Sequence, residues 1–349
     1  MTILAIETSC DETGAAVVEG CGNRVKIFSN AVGSQIKIHQ RYGGVVPELA
    51  ARRHAEMIVS VIEKALNQAF PNYDGDAQIF AKNIDAIAVT NAPGLIIALL
   101  VGLEAAKSLA FAWSKPLIGV NHLEGHIYSV LAESGIQDAS FFNSPSLALI
   151  VSGGHTELIL IHKYGDYQVL GRTRDDAAGE AFDKAAKILS LPYPGGPAIS
   201  KAAIEGLADA HKMPLAMLNS KDFDFSFAGI KTHVLNLVKE LKRGSVPFIA
   251  NIAASFQEAI CDILVAKTIA AALHHRIKSI IITGGVSANA RLREKFQEAA
   301  QIENLNCHFP SLELSGDNAA MIGIAGYLKA RSNKFDDIFK LKAMPKIKW

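Results

Sequence analysis

One pattern occurs twice in this chain: a short apolar strand, a turn of small and polar residues, and a second apolar strand. The first copy covers residues 3–6 and 15–18, and the second covers residues 147–151 and 158–161. Apolar runs of this length on either side of a polar turn are typical of β-hairpins. Their repetition indicates two similarly built halves rather than one continuous fold.

Each hairpin is followed by alternating helix and strand patterns, which indicates an α/β fold. We expect one half at residues 1–118 plus 317–349 and the other at 119–316, with the final helix, 317–330, returning to the first half. The halves should pack around a shared cleft, the usual place for a ligand. The patterns predict helices over residues 47–70, 102–113, 249–273 and 289–300, and buried strands over residues 84–90 and 279–283.

Composition and charge restrict the classes of function. Half of the 349 residues are hydrophobic and 20% are charged, so the chain can bury two sizeable cores. The net charge is +1, so any surface that binds nucleic acid must be a local patch. The candidate patches are residues 239–243 and the tail lysines Lys340, Lys342, Lys346 and Lys348, for which ordinary solvated faces are the favoured alternative.

The cysteines and the apolar runs indicate a cytoplasmic protein. The four cysteines have no paired spacing, which suits a reducing compartment. The first residues lack a basic region, and the longest apolar run, 94–103, is too short to cross a bilayer. We therefore expect neither a signal peptide nor a membrane span.

Two histidines four residues apart form a candidate metal site. His122 and His126 would stack on one face of a helix and could hold one metal ion, although a solvated surface pair is the alternative. The best candidate for a third ligand is Asp317, a lone carboxylate at the start of an apolar helix. Its alternative role is that of a structural N-cap.

The position of Glu124 argues against a zinc protease. In the H-E-x-x-H motif the glutamate directly follows the first histidine and reaches the metal-bound water. Here Glu124 lies two residues after His122, about 200° around the helix axis. It would therefore face away from the metal.

Two glycine turns are candidate anion sites, because residues without Cβ let backbone N–H groups approach a phosphate closely. Residues 152–155 fit such a site, and residues 281–289 form a strand, a Gly-Gly turn and a helix start that could accept a purine or ribose. Tight structural turns are the alternative for both. Between them, Asp183 and Gly196 belong to an acidic run and a Gly-Pro turn that could bind ribose hydroxyls or an acyl group; a solvated helix face is the alternative for the acidic run.

Six segments together closely resemble the bacterial TsaD proteins, formerly called O-sialoglycoprotein endopeptidases. The resemblance runs over nearly the whole chain in unbroken order, and the coincidence of six motifs makes it specific. The segments are residues 7–13, 122–126, 151–156, 176–184, 284–289 and 317–321.

The resemblance implies the actin/Hsp70/sugar-kinase-like fold, in which two ribonuclease H-like domains flank a central cleft. It also implies a reaction: transfer of a threonylcarbamoyl group from threonylcarbamoyl-AMP to the N6 amine of the adenosine beside the anticodon, in tRNAs that read ANN codons. AMP is released. A divalent metal is implied, with iron(II) preferred to zinc, together with a TsaB-like paralogue and a TsaE-like ATPase as partners.

The resemblance also implies roles for individual residues. His122, His126 and Asp317 would hold the metal, which acts as a Lewis acid on the carbamoyl oxygen. Asp11 and Glu12 would orient the attacking amine or take its proton. The residues that would contact the threonylcarbamoyl-adenylate are Ile150, Val151, Ser152, Gly153, Gly154, Asp183, Gly196 and Asn289.

Two rival functions remain open at this point. A metalloprotease would use the same histidine pair but needs a general-base carboxylate beside the metal. A non-catalytic nucleotide-binding scaffold of the same fold would not require the complete set of His122, His126 and Asp317.

Overall fold

The computed structural model describes residues 1–72, 77–132, 136, 138–240, 246–346 and 349. The strands form two five-stranded sheets. In chain order they are β1 (Thr2–Glu7), β2 (Glu12–Cys21), β3 (Arg24–Ser34), β4 (Ala86–Ala92), β5 (Leu117–Asn121), β6 (Ser146–Val151), β7 (Thr156–Lys163), β8 (Asp166–Arg172), β9 (Ser279–Thr283) and β10 (Asn306–His308).

Of the five helices predicted, four are found within three residues of the expected bounds, whereas the one expected from residue 102 begins at Ile96. In chain order they are α1 (Ile36–His39), α2 (Pro47–Ala69), α3 (Ala77–Asn83), α4 (Ile96–Trp113), α5 (His122–Tyr128), α6 (Ala178–Ile188), α7 (Gly195–Ala203), α8 (Ala228–Glu240), α9 (Val246–His274), α10 (Ala290–Ile302), α11 (Leu312–Ser315) and α12 (Ala319–Arg331).

The two sheets have the same topology. The first has the order β3-β2-β1-β4-β5 and the second, read in the same sense, β8-β7-β6-β9-β10. In each, a three-stranded antiparallel meander is extended by two parallel strands. The central strands β1, β4 and β6 are buried almost throughout, as expected when helices cover both faces of a sheet. The duplication predicted from the two hairpins is confirmed.

The chain divides into two compact units. Unit 1 comprises residues 1–141 and 310–348, and unit 2 comprises residues 142–309 with Trp349. The boundary expected after residue 118 falls inside β5, which pairs with β4 of unit 1. Unit 1 continues beyond that strand because α5 packs against the returning helix α12. That return of the C-terminal helix to the first half matches the expectation.

Two helices bear on the expectation that the chain has no membrane span. Ile96–Trp113 and Phe248–His274 are long and apolar enough to cross a bilayer by length and composition alone, a test that buried core helices also pass. The apolar run ends at Leu103 as expected, but the helix continues to Trp113 with only two charged residues, Glu104 and Lys107. Two-thirds of the most apolar window of Phe248–His274 is buried inside the protein.

Candidate metal centre and substrate site

The predicted histidine pair lies on one helix face. The side chain of Asn121 accepts a hydrogen bond from the backbone N–H of Leu123 at 2.9 Å, which starts α5 at His122. The spacing of four residues places the rings of His122 and His126 4.8 Å apart, centroid to centroid. Both rings are buried. The alternative of a solvated surface pair is therefore wrong.

Asp317 joins the histidines, as predicted. Its Oδ1 lies 3.1 Å from Nε2 of His126 and 3.4 Å from Nε2 of His122. The N-cap of α12 is Asn318, whose side chain accepts a hydrogen bond from the N–H of Met321 at 3.0 Å. Asp317 is thus not the structural cap.

The cluster of His122, His126 and Asp317 has the donor chemistry of a metal site. One ligand atom from each residue lies within 4.8 Å of the others, and no other such group of three occurs among the described residues. Two imidazole nitrogens with one carboxylate oxygen suit iron(II) or zinc and leave coordination positions open.

A buried carboxylate, Glu7, supports the first histidine. Its Oε2 lies 3.1 Å from Nδ1 of His122 and accepts a hydrogen bond from the hydroxyl of Thr90 at 2.5 Å, while its Oε1 accepts from the N–H of Ser9 at 2.5 Å. A carboxylate behind a metal-binding histidine fixes the tautomer that presents Nε2 to the metal. Sequence reasoning assigned Glu7 no role. The available signal was its position at the end of a buried strand.

The charges of the cluster are strongly coupled in the metal-free protein. Burial alone would lower the pKa of His122, but Asp317 and Glu7 outweigh it and raise that pKa to about 10. Burial would raise the pKa of Asp317, but His122 and His126 hold it well below its usual value. His126, by contrast, has a lowered pKa because of its burial, so it stays neutral and able to bind a metal.

The predicted acid–base pair, Asp11 and Glu12, belongs to the same unit as the metal cluster. Burial, followed by repulsion from Asp317, raises the pKa of Asp11. Burial also raises the pKa of Glu12, to about 7. Oε1 of Glu12 accepts a hydrogen bond from the hydroxyl of Ser34 at 2.8 Å, whereas its buried Oε2 has no hydrogen-bond partner among the described residues.

The loop that carries these acids is anchored by His54, a residue that sequence reasoning missed. Nε2 of His54 donates to the carbonyl oxygen of Cys10 at 2.9 Å. Its Nδ1 must therefore accept, and the hydroxyl of Thr13 lies 2.7 Å from it. Burial lowers the pKa of His54, which is consistent with this neutral tautomer.

In unit 2, residues 150–154 of the predicted substrate site lie at the carboxyl end of β6, and Asn289 follows β9 after a short turn. Ile150 and Val151 are the buried last residues of β6. The turn that follows is closed by a hydrogen bond from the N–H of Ser152 to the carbonyl of His155 at 2.8 Å. The N–H of Gly179, in the first turn of α6, donates to the carbonyl of Ser152 at 3.1 Å.

The glycines of this region differ in what they require. Gly153 and Gly154 have no positive φ, and a Cβ on either would meet open space. The conformation at Gly154 is therefore one that residues other than glycine can also adopt. Gly284, at the end of β9, has φ +93°, and its Cβ would lie 2.5 Å from the carbonyl oxygen of Val151. Gly284 therefore demands glycine both for its φ and for its close contact with β6.

Asp183 and Asn289 make structural contacts in addition to any role in binding. Oδ1 of Asp183 accepts a hydrogen bond from the N–H of Gly195 at 2.7 Å, which fixes the start of α7. Gly196 follows in the first turn of that helix, with open space beside it. Asn289 caps α10 by accepting from the N–H of Leu292 at 2.9 Å, and its Nδ2 donates to Ser200 and Gln257.

The basic patches are only partly described. Lys239 and Glu240 end α8, whereas Leu241, Lys242 and Arg243 lie outside the described residues, as does Lys348 in the tail.

Comparison with known proteins identifies close relatives. A sequence model of the family described as TsaD, tRNA N6-adenosine threonylcarbamoyltransferase, matches residues 26–324. Three relatives carry that same enzyme name. They come from Anaeromyxobacter dehalogenans (50% identity over 93% of this chain and 92% of the relative), Halalkalibacterium halodurans (47%, 95% and 92%) and Syntrophomonas wolfei (46%, 99% and 97%).

Solved structures support the fold. Full-length HypF in its phosphate- and nucleotide-bound form aligns with a TM-score of 0.59 at 13% identity, over 95% of this chain and 46% of that chain. HypF from T. kodakarensis aligns with a TM-score of 0.57 at 14% identity, over 97% and 49%. Together with the shared topology of the two sheets, these matches confirm the predicted actin/Hsp70/sugar-kinase-like fold with two ribonuclease H-like halves.

Proposed function

This chain belongs to the TsaD family, and we propose that it transfers threonylcarbamoyl from threonylcarbamoyl-AMP to the N6 amine of the adenosine adjacent to the anticodon, in tRNAs that read ANN codons. The observation that carries the proposal is the convergence of His122, His126 and Asp317 in a relative of enzymes of this name. A protease is disfavoured, because relatives 46–50% identical to this chain carry the transferase name.

The metal cluster is proposed to hold one divalent ion, iron(II) in preference to zinc. When bound, such an ion supplies Lewis-acid polarisation of the carbamoyl oxygen. Glu7 keeps the proton of His122 on Nδ1, so that the lone pair of Nε2 remains available to the ion. Loading therefore requires the loss of one proton from His122, whose pKa of about 10 makes metal affinity increase with pH.

Glu12 is proposed as the base of the transfer, with Asp11 orienting the amine. A carboxyl group with a pKa near 7 and an unengaged oxygen can accept a proton at neutral pH. The amine nitrogen forms a bond to the carbamoyl carbon, the bond from that carbon to the phosphate oxygen breaks, and the amine proton passes to Glu12. AMP leaves with the electron pair of the broken bond.

Unit 2 is proposed to bind the adenylate. A Cβ on Gly153 or Gly154 would meet open space, so a phosphate could approach the backbone of this turn. Gly196 lies at the start of α7, where helix N–H groups also favour an anion. Ile150, Val151, Asp183 and Asn289 would complete the contacts, the last two while also fixing α7 and α10.

The proposed setting is the cytoplasm, with a TsaB-like paralogue, a TsaE-like ATPase and the enzyme that makes the adenylate as partners. The test is reconstitution with tRNA, threonine, bicarbonate and ATP, adding the partners one at a time and analysing the tRNA nucleosides. We expect threonylcarbamoyladenosine to form only when this chain is present. Modification that proceeds equally without the chain would overturn the proposal.

A further inference from the structure

We propose that a lysine-lined groove in unit 2 binds the phosphate backbone of the tRNA. The groove lies between α6 and α8 and has a cavity volume of about 660 Å³. The proposal rests on the proposed function for the identity of the RNA, but the groove contains none of the substrate-site residues named above. Its main lining residues are Lys184, Lys187, Lys231, Lys239, Leu235 and Val238.

Helix geometry brings these lysines together from two separate segments. Lys184 and Lys187 are three residues apart on α6, and Lys231 and Lys239 are eight residues apart on α8, so each pair lies on one helix face. The sequence patch that begins at Lys239 therefore belongs to a larger basic surface. Lys231 lies on the same helix, whereas Lys184 and Lys187 come from a helix about fifty residues earlier in the chain.

The charge of the groove is only partly neutralised. Asp176 binds Lys184 at 2.6 Å through Oδ1 and Lys231 at 2.9 Å through Oδ2, which holds both ammonium groups in place. Glu180 adds a second contact to Lys184. Lys187 and Lys239 are exposed, and neither forms an ion pair within the described ranges.

The form of the groove favours an extended polyanion over a compact ligand. Lysines act as point charges, without the fork geometry that arginine offers to a single phosphate. Leu235, 37% exposed, supplies an apolar surface against which ribose carbons can pack. Since the whole chain carries a net charge of only +1, the phosphates of an RNA would bind to a local cluster of lysines such as this one.

The test compares two double charge reversals in the full-length chain. Lys187→Glu with Lys239→Glu alters the groove, and Lys221→Glu with Lys278→Glu makes the same charge change at exposed positions elsewhere in unit 2. Binding of tRNA is measured over a range of salt concentrations. We expect Kd to rise about tenfold for the groove variant, with a salt slope smaller by about 1.5, and to change about twofold or less for the control. Lys187→Arg with Lys239→Arg should bind like the unaltered chain.

Equal tRNA binding by the two reversed variants would overturn the inference. It would also be overturned if the groove variant bound tRNA normally but lost its protein partners, because the groove would then be a protein interface. Neither result would contradict the proposed function. That function fails separately, if the unaltered chain with all partners leaves tRNA unmodified.

Discussion

The carboxylate of Glu7 lies 3.1 Å from Nδ1 of His122, on the side of the ring opposite the nitrogen that faces Asp317. This contact joins residues 115 positions apart in the chain and is itself fixed by Thr90 and Ser9. Once Nε2 has lost its proton, the contact keeps the remaining proton on Nδ1, which is the state that a metal site requires.

Replacing Glu7 by Gln should weaken metal binding without removing a ligand. An amide oxygen can still accept the Nδ1 proton but no longer increases the basicity of the ring, so we expect affinity to fall about 10- to 100-fold. Metal titration of the purified variant measures the effect. Glu19→Gln, at an exposed position of β2, is the control and should leave affinity unchanged. Equal affinities for the two variants would remove Glu7 from the metal centre.

Replacing His126 by Ala should abolish most metal binding, because only one histidine and Asp317 remain. His126 is fully buried, so some loss of thermal stability should accompany the change. Metal content by elemental analysis, measured beside the circular dichroism spectrum, separates the two effects. A folded variant that retains its full metal content would contradict the assignment.

Glu12 should make stability depend on pH in the metal-free protein. Its pKa is raised on folding from 4.5 to about 7, so folding favours the protonated form. The resulting stabilisation is fully present below about pH 4.5 and is lost as the pH rises through about 7. Glu12→Gln should therefore unfold at a higher temperature than the unaltered chain at pH 8, and this advantage should shrink at pH 5. The measurement is thermal unfolding with a chelator present, and an advantage independent of pH would refute the burial argument.

Two neighbouring glycines provide a matched stability test. Gly284→Ala places a Cβ 2.5 Å from the carbonyl oxygen of Val151 in a backbone with φ +93°, which should cost about 1–3 kcal/mol. Gly285→Ala meets open space and should change stability by only about 0.5 kcal/mol or less. Denaturant unfolding of both variants measures the difference. Similar values would mean that the turn relaxes easily.

Gly154→Val should separate binding from folding. Because Gly154 has no positive φ and open space beside it, the variant should fold normally while its side chain blocks the approach of a phosphate. Asn289→Ala should instead lose about 1 kcal/mol of stability, because it removes a helix cap. Its loss of activity should be smaller than that of Gly154→Val. Assays of tRNA modification and metal content for both variants test this order. Full activity in Gly154→Val would mean that the turn is only structural.

The sequence predicted those parts of the fold and site that depend on local patterns. The two hairpins, the i, i+4 histidine pair and the isolated carboxylate of Asp317 could all be recognised within single segments. The contacts from Glu7 to His122 and from His54 to Cys10 could not, since each requires knowing which strand and helix are neighbours. For the same reason, the sequence did not reveal that Gly284, which follows a strand paired with β6, needs a positive φ.

The shared topology gives the β1–β2 turn and the β6–β7 turn equivalent places in their sheets. The two turns differ in the side chains that they carry. The first turn contains Asp11 and leads directly to Glu12, while the second, from Ser152 to His155, contains no acid and two residues without side chains. Two hairpins of the same topology thus carry carboxylates in unit 1 and a pair of glycines in unit 2. The same hairpin topology can in this way present either carboxylates or side-chain-free backbone, without a new element being added to the fold.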